Sequence, residues 1–375
     1  MGYFESFLFE ILIGLLYSEN REYAIKKIDI WLDRKQYLTV ISRACFAKSD
    51  ISEIYLSRVL STSFKIKNIA ALINSNHASL KHYSLNEKLY KHIFLTSINY
   101  LSQLSNSSWV MRVKYLSEGN LRKILDTISI KNIEAVFDNL LFLDTINYEC
   151  HEAIKILSEY SPEQTLIYFR KRILKQSHTK IIGTYEAIPY PNRATDDSSH
   201  PLNDNLDLVI STVFEWIKDD RKRFGCHISM LLFYISPKFT PELEIELEKQ
   251  IHSGDIIICS EILYLLSNYD GDIAIHNLCK TMIVVFHENE EKTSEIQNVL
   301  SSTPVLNGEY GYASALEQKI TLISNWLNDS NPIIQSFASS YIESVKRHAI
   351  SEKRNVDESL SLRKHLYGDN DHEKK

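Results

Sequence analysis

Glycine and proline are scarce in this chain, 10 and 8 in 375 residues, well below average usage. That excludes a fold built on many tight β-turns and points to long helices joined by short corners. Cysteine is sparse as well. The five (Cys45, Cys150, Cys226, Cys259 and Cys279) are odd in number and far apart, so reduced, mostly buried thiols are expected rather than a disulfide framework. Long hydrophobic runs are missing. The most apolar stretch, Phe7 to Tyr17, is interrupted by Glu10 and falls short of the roughly 20 residues a membrane helix needs. It has neither a basic leader nor a small-residue cleavage site, so a cytoplasmic protein with no membrane contact is expected. The glycines are scattered, and no G-x-x-x-x-G-K-[ST] or G-x-G-x-x-G loop exists to cradle a phosphate. CxxC and HExxH are absent too, which removes the usual zinc spacings.

What the chain does hold is 44% apolar and 24% charged residues, an ordinary balance for a folded protein with a sizeable core. The formal charge of −6 is unevenly spread: residues 1–175 carry 23 Lys+Arg against 18 Asp+Glu, and residues 176–375 carry 19 against 30. Apolar residues recur at three-and-four spacing almost throughout. The stretch 319–368 shows the grammar. Ile320, Ile323, Trp326 and Leu327 make one apolar face. Asp329 and Ser330 break it, Asn331 can cap a new helix, and Pro332 takes the first helical position, where its missing N–H costs nothing. Ile334, Phe337, Ala338, Tyr341 and Val345 then form the next stripe, and the helix turns polar past Arg347. Ser161-Pro162 and Thr240-Pro241 repeat that start, the former with Gln164 placed to complete a capping box.

The same reading predicts helices over 3–17, 21–33, 36–47, 51–63, 66–74, 86–104, 109–116, 121–128, 133–143, 149–159 and 162–175. It predicts others over 206–218, 224–235, 241–252, 255–267, 273–287 and 292–301. Trp31-Leu32-Asp33, Trp216 to Asp219 and Trp326 to Asp329 each end a helix in the same way. Helix pairs recur roughly every 30 to 45 residues, the range of HEAT and armadillo units. The expected fold class is therefore all-α, a HEAT/armadillo-like α-solenoid of stacked antiparallel helix pairs. Its parts are N-terminal helical repeats over 1–175, an irregular insertion loop over 176–205, C-terminal HEAT-like repeats with a capping helix over 206–368, and a disordered tail over 369–375. The first helix is apolar over most of its circumference. It lacks the polar outer face of a solenoid cap, so a preceding domain, an oligomer contact or burial in a globular fold is expected to cover it.

Signals for chemistry are weak. His276 and Cys279 sit three apart on one helix, and Cys226 adjoins His227, whose side chain should diverge from it. Cys226 or Cys259 could act as a nucleophile only with a distant histidine that nothing local selects. Asp196 and Asp197 fall in the irregular loop. Glu242, Glu244, Glu246 and Glu248 suit the dipole at a helix start. No catalytic residue, metal or cofactor is expected. Two basic runs, Arg170-Lys171-Arg172 with Lys175 and Arg221-Lys222-Arg223, leave nucleic-acid binding as the alternative, as in HEAT-like DNA glycosylases, although a longer basic stripe would be needed. The irregular corners hold aromatic and turn residues suited either to stapling a loop or to anchoring a protein partner: Tyr185, Ile188, Pro189 and Tyr190 in one, Leu306, Glu309 and Tyr310 in the other.

From about Gly183 to Gly368, the segments GTYEAIPY, LLSNYDGD, VLNGEYGY, ISNWLNDSNPIIQSFASSYIESV and LRKHLYG resemble the C-terminal HEAT-like region of bacterial STAND-type NTPases, some of which act in antiphage defence. The resemblance implies a sensor or scaffold arm that recognises a protein trigger while separate NTPase and effector modules act. This chain carries neither module. A non-enzymatic arm that binds a protein is the expected function.

Overall fold

In the computed structural model the described residues are 3–65, 92, 96, 129–178, 185–189, 200–269, 273–302 and 308–367. Among them the fold is all-α, with fourteen α-helices, two short 3₁₀ segments and no strand. The chain divides into two compact units, Met1–Pro189 and Tyr190–Lys375, so the parting falls inside the stretch predicted as an insertion. The helices predicted between 66 and 128 lie outside the described residues, apart from His92 and Thr96, which are helical. The tail 369–375 lies outside them too. Among the described residues no helix is long and apolar enough to cross a membrane.

The first unit opens with α1 (Tyr3–Leu16), α2 (Arg21–Asp33), α3 (Leu38–Ala47) and α4 (Ser49–Lys65). α1 packs on α2 and α3, and α3 runs along α4. The α2–α3 corner has no glycine, yet Lys35 and Tyr37 take φ of 55° and 51°. That left-handed conformation costs an ordinary residue roughly 1–2 kcal/mol. The Tyr37 ring meets Trp31 edge-on, 5.1 Å between centroids, which helps offset the strain. The Trp31-Leu32-Asp33 stop is thus a packed corner. Further along the unit are α5 (Ile130–Leu140), α6 (Tyr148–Tyr160) and α7 (Pro162–His178), with α5 and α6 both packed on α7. The Ser129 hydroxyl caps α5 by accepting from the Asn132 N–H at 3.3 Å, and Asn147 caps α6 by accepting from the Cys150 N–H at 3.0 Å. α7 starts at Pro162 as predicted, and the Ser161 carbonyl there accepts from the backbone N–H of Thr165 at 3.1 Å and from its hydroxyl at 2.9 Å.

The second unit begins with a 3₁₀ turn, Pro201–Asn205, and α8 (Leu206–Ile235). Two helices were expected here. They join end to end, broken only at Asp220, where φ is −157° and ψ 81°. The Asp220 carboxylate accepts from the Arg223 N–H at 3.2 Å and so caps the second segment. α9 (Pro241–His252), α10 (Ile256–Leu266), α11 (Ile273–Val285), α12 (Glu290–Ser301), α13 (Gly311–Ile323) and α14 (Pro332–Tyr367) follow. Thr240, Asp255 and Asn289 cap α9, α10 and α12, accepting from the N–H groups of Leu243 at 3.2 Å, Ile257 at 2.9 Å and Lys292 at 3.0 Å. Asn331 accepts from the Ile333 N–H at 2.9 Å, the cap its pairing with Pro332 predicted.

Helices of this unit pack on their sequence neighbours, α13 on α14 above all, and also on helices further along the chain. α8 lies against α10 and α10 against α12, while α9 lies against α11 and α11 against α14. α13 runs along α14, and the 3₁₀ turn Ser324–Asn328 fits between them. That turn carries Trp326, buried beside His276 of α11 at 5.8 Å and Phe337 of α14 at 6.4 Å between ring centroids. The Lys280 ammonium lies 5.2 Å from the Trp326 ring centroid and 2.7 Å from the Asp329 carboxylate. Because Trp326 joins three elements, Trp326→Ala is expected to lower stability by about 3–5 kcal/mol. Urea denaturation checks this, and loss of less than about 1 kcal/mol would show that the turn carries little of the packing.

Candidate functional site

The predicted site residues of the first unit lie inside it. Tyr185 is 3% exposed, Ile188 is 3% exposed and Pro189 is also buried. Arg172 of α7 is the reason. Its side chain is wholly buried, and all three of its nitrogens donate to backbone carbonyls. Nε donates to Glu186 at 3.1 Å and Ala187 at 3.2 Å, and Nη1 donates to Leu140 and Leu143, both at 3.0 Å. Nη2 donates to the Glu186 carbonyl as well. The guanidinium sits 4.4 Å from the Tyr185 ring centroid. Lys175 donates to the Leu141 carbonyl at 2.5 Å and lies 4.7 Å from the same ring, and burial pushes its ammonium below the usual lysine range. The strap 185–189 is pinned to the α5–α6 loop besides: the Glu186 N–H donates to the Asp144 carbonyl at 2.7 Å, and its carboxylate accepts from the Ile146 N–H at 3.0 Å.

This revises the reading of the basic run. Lys171 pairs with Asp138 at 2.7 Å at the surface, while Arg172 and Lys175 are turned inward onto backbone carbonyls. Tyr190, Leu306, Asp196 and Asp197 lie outside the described residues. Glu309 and Tyr310 stand in the second unit, at the start of α13, where they clasp the far end of α14. The Tyr310 hydroxyl donates to Asp357 at 2.5 Å and Glu309 accepts from Arg363 at 2.8 Å. The hydrogen bond to the Asp357 carboxylate holds the Tyr310 phenol above its ordinary value.

The second unit also holds a groove of about 660 Å³. α10 forms its floor with Ser260, Glu261, Leu263, Tyr264 and Ser267; Arg221 and Cys226 of α8 form one wall, and Glu295, Asn298 and Val299 of α12 the other. Its charges are paired. Arg221 meets Glu261 at 3.1 Å, and the nearly buried Lys292 meets both oxygens of Glu295 at 2.8 Å while donating to the Ser260 hydroxyl. Gly225 has a specific job here. A Cβ at that position would stand 3.0 Å from the Glu261 carboxylate, so a larger residue would press the carboxylate aside, and glycine gives it room between α8 and α10. That glycine inside a helical stretch was the signal in the sequence that could have found the groove; Glu261, Tyr264 and Asn298 carried none.

The cysteine and histidine candidates resolve by geometry. The Cys226 thiol lies 3.6 Å from His227 Nδ1, so the two side chains meet, contrary to the expectation that they diverge. The same Nδ1 is 3.1 Å from the Arg223 carbonyl, an acceptor to which it donates, and a nitrogen carrying that proton cannot take one from the thiol. Burial raises the Cys226 thiol and lowers the His227 imidazole, away from a thiolate–imidazolium pair. Cys259 is pushed up to about 12 by burial, as is Cys279. The acidic turn of α9 is engaged with its neighbour: Glu244 accepts from Asn277 at 3.0 Å and Glu248 from Thr281 at 3.3 Å. Among the described residues no three His, Cys, Asp or Glu side chains converge as a metal site would require.

No family model, curated protein or solved structure matches the chain. Three outcomes follow from the geometry. Arg172→Met is expected to cost about 3 kcal/mol or more, because several buried carbonyls lose their donor at once; Arg172→Lys should recover little, since an ammonium lacks the planar fork, and urea melts read both. Gly225→Ala should cost about 1–3 kcal/mol by overpacking, most of it vanishing in a Glu261→Ala background, a coupling that a double-mutant cycle measures. Among the five cysteines only Cys226 is exposed, so iodoacetamide followed by mass spectrometry should label it first. With its thiol raised, less thiolate exists at neutral pH than in a free cysteine, and the rate should keep climbing past pH 9. A rate that levels off below pH 8 would contradict the raised thiol.

Proposed function

We propose that the chain is a non-catalytic, HEAT/armadillo-like α-solenoid that recognises a protein partner. The observation that supports this reading is the groove over α8, α10 and α12. Three helices that are alternate in sequence each supply part of one concave surface, which is what a stacked array offers a bound segment. Its charged groups satisfy one another, leaving Tyr264, Val299, Asn298 and the serines as a surface of shape, aromatic area and neutral hydrogen-bonding groups. An aromatic side chain beside polar groups is the usual anchor at a protein interface. Of the predicted contact set, Glu309 and Tyr310 have surface to offer, and we assign them a peripheral role. In line with the resemblance to the arm of STAND-type NTPases, we extend the proposal to a sensor arm in antiphage defence, with the partner as trigger.

The test replaces Tyr264 with a photo-crosslinking aromatic in the full chain, identifies what it captures, and measures binding of the purified captured protein. Tyr264→Ala combined with Asn298→Ala should weaken that binding at least about tenfold, with the far-UV circular dichroism unchanged. Binding indifferent to both substitutions would remove the groove from the reading. Binding of duplex DNA that collapses with added salt, or base-excision turnover, would replace it with the nucleic-acid alternative.

A further inference from the structure

The first helix carries a second surface, independent of the groove. The inner side of α1 is fixed. Leu12 and Leu16 are buried, the Arg43 guanidinium sits 4.0 Å from the Phe9 ring centroid, and Lys48 donates to the Leu16 carbonyl at 3.0 Å, closing the C-terminal end. The outer side is apolar and open: Tyr3, Phe4, Phe7, Ile11 and Tyr17 are 99%, 60%, 59%, 43% and 69% exposed. Aromatic side chains present roughly 150–250 Å² each, so this face offers on the order of 500 Å² of apolar surface. A standard interface takes about 800 Å² per partner, of which about 65% is apolar between identical subunits. One such face on each of two copies meets that need.

The order of residues along the face says what covers it. Phe7 and Gly14 stand three residues either side of the Glu10–Ile11 pair, and Phe4 and Tyr17 stand six either side. At about 100° per residue, Phe7, Ile11 and Gly14 share one stripe. Turned end for end about a two-fold axis at Glu10–Ile11, the face becomes its own complement. Phe7 of each copy comes opposite Gly14 of the other, Ile11 meets Ile11, and each Phe4 lies over the turn that holds the other copy's Tyr17. Nothing lies within 4 Å of where a Gly14 Cβ would be, so Gly14 is a notch open to receive a ring. We propose that α1 is an isologous dimer interface, paired antiparallel with the α1 of a second copy, with Phe7 as knob, Gly14 as socket and Ile11 on the two-fold axis. A self-complementary patch of this kind closes on itself and generates a dimer rather than a fibre. The one acid on the face, Glu10, stands at the rim of the axis opposite the Glu10 of the second copy, where like charges oppose pairing.

Sedimentation velocity on the full chain across a wide concentration series is expected to show a monomer–dimer equilibrium. Phe7→Glu should weaken it at least about tenfold, with unchanged circular dichroism. Gly14→Leu separates this interface from a fold effect. It fills the socket and weakens the dimer, while the monomer melts at a higher temperature because leucine replaces glycine in an open helical position. Glu10→Gln should tighten association. In a Cys226→Ser background, Ile11→Cys should cross-link to itself on oxidation, whereas Phe4→Cys should not. A chain monomeric at every concentration, a dimer indifferent to Phe7→Glu and Gly14→Leu, or cross-linking at position 4 in preference to 11 would each overturn the proposal.

Discussion

Helices of ten to seventeen residues, such as α3 and α7, are marginal in water by themselves. Each carries an apolar stripe that must be covered by something other than itself. That constraint governs the chain. In the second unit it is met by sequence neighbours together with helices further along the chain, α8 to α10 to α12 and α9 to α11 to α14, and the groove is a by-product of the arrangement. Three helices lying side by side in one row leave their outward side chains lining a shared depression.

Polar groups taken inside obey a second rule, that a buried charge must be matched in full. Arg172 meets it with carbonyls of the α5 end and the strap 185–189, and Tyr185 lies across its guanidinium. The strap has too little regular structure to hold itself, so the guanidinium fork and the Glu186 contacts anchor it. Glu261 meets the rule with Arg221, and Gly225 makes the room. Lys292 meets it with Glu295 and Ser260. In each case the ionised group ties two or three separate elements together, which is why so few of the charges that looked available for chemistry are free for it.

The two surfaces discussed above differ in what they leave open. The groove is polar and apolar by turns, with its charges paired among themselves. The outer face of α1 is nearly all apolar, with Leu12 and Leu16 buried behind it.

What the sequence alone determined is the local part. Helix class follows from the three-and-four recurrence of apolar residues, and the starts at Ser161-Pro162, Thr240-Pro241 and Asn331-Pro332 follow from a side chain or carbonyl acting on N–H groups two to four residues away. That α1 is apolar over most of its circumference was legible for the same reason, but which of its sides other helices of the chain cover was not. Only the tertiary structure decided the fate of Arg172, the burial of Tyr185, the meeting of Cys226 with His227 and the membership of the groove. Arg172 finds Leu140 across 32 residues of chain and Arg221 finds Glu261 across 40. Whether a charge faces water or a carbonyl depends on atoms that far away, and no pattern of neighbours in the chain encodes them.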